Sequence, residues 1–134
     1  MPTLQKFEDL DIWQLARALS KKVFLLTKTE KLNKDFSLKD QMNRSSGSIM
    51  DNIAEGFGRG SRLEFIQFLS IASGSADELK SQFYRCRDRS YIEQGDFDEL
   101  YNEAFILNKK INGFIKYLNT SLIKGTKFKE RSKQ

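Results

Sequence analysis

Apolar side chains recur along this chain at alternating steps of three and four, the period of a helix with one buried face. The first run, Ile12, Ala16, Leu19, Val23 and Leu26, is widened by Trp13 and Leu15. It predicts a helix starting near Glu8 and Asp9, where carboxylates suit a helix N-terminus, and ending at about Lys28. Residues 29–35 are polar and read as a connection. A second helix is expected from Ser37, with Asp40 completing an approximate capping box, along Leu38, Met42, Ser45 or Ser46, Ile49, Ile53 and Phe57. The alternating glycines Gly56, Gly58 and Gly60 suit a stop and a tight reversal.

The third helix opens on a cleaner signal, the S-x-x-E box of Ser61 and Glu64. Its stripe, Phe65, Phe68, Leu69, Ala72, Ala76, Leu79, Phe83 and Cys86, carries it to about Ser90. Glu93, Gln94 and Gly95 make the next turn. The fourth helix begins at Asp96 and has the most regular stripe: Phe97, Leu100, Ala104, Leu107, Ile111, Phe114, Leu118 and Leu122. Four helices of similar length with short connections predict an all-α, antiparallel, up-down-up-down four-helix bundle over residues 1–123.

Three runs exceed what one core stripe needs. Val23 to Leu26, Phe65 to Ala72 and Ala104 to Leu107 place apolar residues on more than one helix face. Extra apolar surface implies a partner, and a copy of the same chain is the simplest one.

Composition narrows the chemistry. The only proline is Pro2, so nothing later interrupts a helix. The lone Cys86 fits a reducing cytoplasm, and no leader or membrane-spanning run is apparent. There is no histidine, which removes the commonest general base and transition-metal ligand. No catalytic residue, metal or cofactor is therefore assigned. The net charge of +5 is unevenly placed: Lys124, Lys127, Lys129, Arg131 and Lys133 against Glu130 give residues 124–134 a charge of +4. The preceding body holds 18 basic and 17 acidic side chains. Residues 124–134 thus read as a basic, disordered tail, either solvated or a nucleic-acid arm.

A second, polar line accompanies the apolar stripes of helices two and three. It runs Gln41, Ser45, Ser48, Asn52 and Glu55, then Ser75, Glu78, Gln82, Arg85 and Arg89. This seam reads as a hydrogen-bonded network that fixes helix register. Its carboxylates, Glu55 and Glu78, offer the competing reading of a cation site within a bundle. The glycines 56, 58 and 60 do not form a phosphate loop, since they follow a helix and lack the Walker lysine. Arg59 and Arg62 nevertheless flank a helix N-terminus, which attracts phosphate. Arg85, Arg87 and Arg89 complement the dipole at the end of helix three.

The stretch Gln41-Met42-Asn43-Arg44-Ser45-Ser46-Gly47-Ser48-Ile49, followed by Asn52-Ile53-Ala54-Glu55-Gly56-Phe57-Gly58-Arg59, is distinctive. With Glu64 to Ser75, Glu78-Leu79 and the opening Phe7 to Ala16, it resembles the bacterial four-helix bundle proteins named after reading frames in 23S rRNA intervening sequences. The resemblance covers most of the chain to about Ile92. It implies a ring-like homopentamer, and kinship with accessory proteins of diversity-generating retroelements, which bind nucleic acid, RNA or DNA, and a reverse transcriptase. Those relatives have strongly basic bundles, whereas this body is nearly neutral. The expected role is a non-enzymatic, oligomeric accessory protein that binds nucleic acid. The alternative is a scaffold for a protein partner without nucleic-acid contact.

Overall fold

The computed structural model describes residues 4–132, and the side chains of residues 4–120. A single 3-10 turn, Phe7–Asp9, leads into α1 (Asp11–Thr27), α2 (Glu30–Lys34), α3 (Phe36–Gly58), α4 (Arg62–Asp88) and α5 (Gln94–Ser132). The described residues contain no strand. Four long helices pack together: α3 lies against α1 and α4, and α5 lies against α4 and α1.

The periodic residues form the core. Ile12, Ala16, Leu19 and Val23 of α1 meet Leu38, Met42, Ile49 and Ile53 of α3, Leu69, Ala72, Ala76, Leu79 and Phe83 of α4, and Leu100, Ala104, Leu107 and Ile111 of α5. Leu26, Phe57, Phe68 and Phe114, expected in the same stripes, are only half-buried. Leu122 lies outside the described side chains.

Three local features depart from the sequence pattern. Residues 29–35 hold the short helix α2, whose Leu32 is fully buried. One well-placed apolar side chain anchors a segment too polar to show a period. The cap of α3 lies two residues earlier than expected, at Asp35 rather than Ser37: Leu38 N donates to Asp35 Oδ1 at 3.2 Å. The glycines do not all serve the reversal. Gly56 is buried inside α3, where a Cβ would come within 2.6 Å of Phe68 Cβ, so glycine there permits close approach of α4. Only Gly60, at φ +72°, needs the left-handed conformation.

Ser61 caps α4 as expected, with Glu64 N donating to Ser61 Oγ at 3.4 Å. Helix α4 ends in a Schellman closure: Tyr91 N donates to Cys86 O at 2.9 Å and Ser90 N to Arg87 O at 3.0 Å. Ser90 occupies the left-handed position at φ 59°. Helix α5 starts at Gln94 rather than Asp96 and continues to Ser132, so residues 124–132 of the segment read as a tail fall on its backbone. The side chains of Lys124, Lys127, Lys129 and Arg131 lie outside the described residues.

Candidate functional site: the polar seam of α3 and α4

Spacings of three and four bring the seam residues of α3 onto the flank that faces α4. Arg85 Nη1 donates to Gln41 Oε1 at 2.9 Å, and Gln41 Nε2 donates to Ser37 Oγ at 3.0 Å. One turn on, Ser45 Oγ donates to Gln82 Oε1 at 2.5 Å, with both residues buried. Ser75 Oγ then donates to Ser48 Oγ at 2.9 Å. Asn52 stays on its own helix, bonding Ser48 O at 2.8 Å and Ser48 Oγ at 2.9 Å. Most seam positions therefore join the two helices.

The two carboxylates are taken by neighbours on their own helices. Arg59 Nη2 donates to Glu55 Oε1 at 3.0 Å, and Gln82 Nε2 donates to Glu78 Oε1 at 3.3 Å. Both are exposed. Among the described residues, no group of three or more cysteine, aspartate or glutamate side chains is placed to hold a metal ion.

Arg89 does not continue the seam. It joins a knot at the bundle end, where Arg89 Nη1 donates to Asp35 Oδ2 at 2.6 Å and Tyr91 Oη donates to the same oxygen at 2.8 Å. The hydrogen bond from Tyr91, the amide of Leu38 and the Arg89 guanidinium hold the Asp35 carboxyl below its ordinary range. The bond to Asp35 in turn pushes the Tyr91 phenol up. Asp35 thus ties the start of α3 to the end of α4.

Sequence reasoning missed a second polar cluster, between α4 and α5. Ser73 Oγ donates to Asn108 Oδ1 at 2.7 Å, and Asn108 Nδ2 donates to Asp77 Oδ1 at 2.7 Å. Asn112 Nδ2 adds a bond to Asn108 Oδ1 at 3.1 Å. The i, i+4 pair of asparagines beside Leu107 and Ile111 was the available signal.

Arg59 and Arg62, expected to meet phosphate, and Arg87, expected to complement a helix end, stand differently from one another. Arg59 is paired with Glu55 and lies 5.2 Å from the Phe68 ring centroid. Arg62 is half-buried in the first turn of α4. Arg87 covers Tyr84 and Phe97 at 4.9 and 4.6 Å. Cys86 is buried, 3.3 Å from Met42 Sδ, and burial pushes its thiol up to about 12, which leaves it protonated and unreactive.

The fold and the seam define a helical-bundle protein whose interior polar groups join one helix to the next. The family model described as 23S rRNA-intervening sequence protein matches residues 8–113, and the chain belongs to that family. It is also similar to a crystal structure from Bacteroides thetaiotaomicron, described as a protein with unknown function from the S23 ribosomal protein family. That likeness has a TM-score of 0.73 at 25% identity and covers 78% of this chain and 95% of the other. No curated protein matches the chain. Among the described residues, no helix is long and apolar enough to cross a membrane.

Proposed function

We propose that this chain is a non-enzymatic accessory protein that assembles with copies of itself and holds nucleic acid on the assembly. The four long helices are read as an antiparallel, up-down-up-down bundle. Partners descend on one helix as they rise on the other, from Gln41 with Arg85 through Ser45 with Gln82 to Ser48 with Ser75. Ser73 with Asn112 and Asp77 with Asn108 repeat the pattern between α4 and α5.

The observation that carries self-assembly is the large apolar surface left uncovered. Phe24 and Leu25 on α1, Ile71 on α4, and Phe105 and Ile106 on α5 are all exposed. These are the same runs whose apolar residues exceed one core stripe, and such surface is usually covered by a partner. A ring of five copies is the assembly that the family resemblance implies. The nucleic-acid reading draws on Arg62 at the start of α4 and on Lys124, Lys127, Lys129 and Arg131. Contacts would fall on phosphates and weaken steeply with salt. A reverse transcriptase is the protein partner implied by the more distant kinship.

Sedimentation velocity over a concentration series, with gel shifts on duplex DNA and structured RNA at low salt, tests both halves. Assembly and salt-sensitive shifts are expected. A strictly monomeric chain removes the first half; absence of any shift at low salt removes the second. The scaffold reading, with a protein partner alone, is favoured by one observation: Arg59 is already engaged by Glu55 and Phe68. Assembly without any nucleic-acid shift would select it.

A further inference from the structure

We infer that copies of this chain meet head to tail: the α1 face around Phe24 of one copy seats on an aromatic strip that α4 and α5 present in the next. This rests on the self-assembly reading and assigns the two surfaces to it.

The strip is built from rings and the cations lying over them. Tyr84 stands 4.9 Å from Phe97 and 5.5 Å from Tyr101, between ring centroids. Lys80 Nζ lies 5.8 Å from the Tyr101 ring and 5.6 Å from that of Phe105. Tyr84 and Phe105 remain 41% and 48% exposed. Tyrosine, phenylalanine and arginine in one patch is the composition of the well-packed centre of a protein interface.

The opposing surface follows from the arrangement of α1. Lys22 and Phe24 flank the buried Val23 on either side. Lys22 reaches Glu99 and Glu103 of α5, so Phe24 turns toward the side of α3. Since α1 packs on α3 and α5, and α4 packs on the same two helices, the α1/α3 side lies opposite the α4/α5 side. Phe24 is 49% exposed there, with Lys28 Nζ 4.5 Å from its ring centroid. Two adhesive patches on opposite faces make a heterologous contact, the kind that closes into rings.

Charge favours this pairing. Residues 12–28 carry Arg17, Lys21, Lys22 and Lys28 and no carboxylate, whereas residues 94–108 carry Asp96, Asp98, Glu99 and Glu103 and no cation. Lys22 pairs with Glu99 and Glu103 within the chain. Exposed Lys21 and Lys28 remain on α1, and exposed Asp98 lies beside the strip. Asp77 and Asp88 are already paired with Lys80 and Arg87, so Asp98, whose partner is the neutral Gln94, is the carboxylate beside the strip that meets a basic face.

The test combines charge reversal with restoration, read by sedimentation velocity, with helix content checked by circular dichroism. Lys21→Glu and Asp98→Lys are each expected to weaken assembly roughly tenfold, and the double variant to recover most of it. Phe105→Ser, with helix content retained, is expected to weaken assembly as well. Wild-type assembly that is indifferent to all three single changes overturns this assignment and leaves self-assembly standing. Singles that dissociate without recovery in the double overturn the pairing of the two faces. A wild-type chain that stays monomeric overturns both.

Discussion

Ser45 Oγ donates a 2.5 Å hydrogen bond to Gln82 Oε1, joining α3 to α4 between two side chains that are 4% and 2% exposed. A buried amide oxygen that loses its donor cannot turn to water, so the bond matters most when it is half removed. Ser45→Ala is expected to destabilise the fold by about 1–3 kcal/mol. Adding Gln82→Met, which removes the stranded acceptor at similar size, is expected to recover much of that loss. Urea unfolding midpoints of wild type, both single variants and the pair give the comparison. Equal and additive losses would show that the seam does not act as a coupled unit.

Gly56 and Gly58 lie two residues apart in α3 and are expected to respond oppositely to alanine. At Gly56 the new methyl meets Phe68 Cβ at 2.6 Å and the Phe65 ring at 3.0 Å. Phe68 Cβ is fixed to its helix, so α3 and α4 must separate, at about 1–3 kcal/mol. At Gly58 nothing lies within 4 Å, and alanine is expected to gain up to about 0.5–1 kcal/mol through helix propensity. Thermal melts of the two variants check the difference in sign.

Ser90 closes α4 from the left-handed region at φ 59°, a conformation that costs a residue with a Cβ. The Schellman bonds from Tyr91 to Cys86 and from Ser90 to Arg87 hold it there. Ser90→Gly is expected to stabilise the fold by roughly 0.5–1 kcal/mol, since both bonds are backbone bonds and survive the change. A rise in the unfolding midpoint with unchanged denaturant slope is the expected signature.

Why the four long helices were legible in the sequence is clear from Leu19, Met42, Leu79 and Leu107. Each sits in a run of three- and four-residue steps long enough to fix a buried face. The seam was legible for the same reason, since Ser48 and Ser75, or Ser45 and Gln82, keep that period beside the core stripe. Leu32 was not, because one buried leucine among five residues of α2 sets no period. Gly56 read as a stop signal because glycine serves both turns and close helix contacts, and only the position of Phe68 separates the two. The Asn108 cluster escaped because each helix gives it only one i, i+4 polar pair, Ser73 with Asp77 and Asn108 with Asn112, too short a run to stand out as a second line. Asp35 was passed over because Ser37 offers a capping pattern two residues later, and the choice depends on Tyr91 and Arg89 approaching from the end of α4.

That Asp35 knot makes stability depend on pH at both ends of the range. In the folded chain the carboxyl is held below its ordinary range, chiefly by the Tyr91 hydroxyl, then by the Leu38 amide and Arg89. A depressed carboxyl contributes stability that is present above its unfolded pKa of about 4 and is lost as pH falls through the lower, folded value. The Tyr91 phenol is raised by the same bond, so its contribution is fully present below its unfolded pKa of about 10. That contribution is lost as pH rises through the higher, folded value. Asp35→Asn keeps a good helix cap but no charge, and is expected to flatten both limbs relative to wild type. Tyr91→Phe is expected to shrink the alkaline limb, part of which stays with Lys22, whose ammonium Glu103 and Glu99 push up. It is also expected to shrink the acid limb without removing it, since Leu38 N and Arg89 still reach Asp35. Unfolding free energies measured from acid to alkaline pH on the three proteins decide the matter. An acid limb as steep in Asp35→Asn as in wild type would mean that other carboxylates, rather than this one, govern the loss.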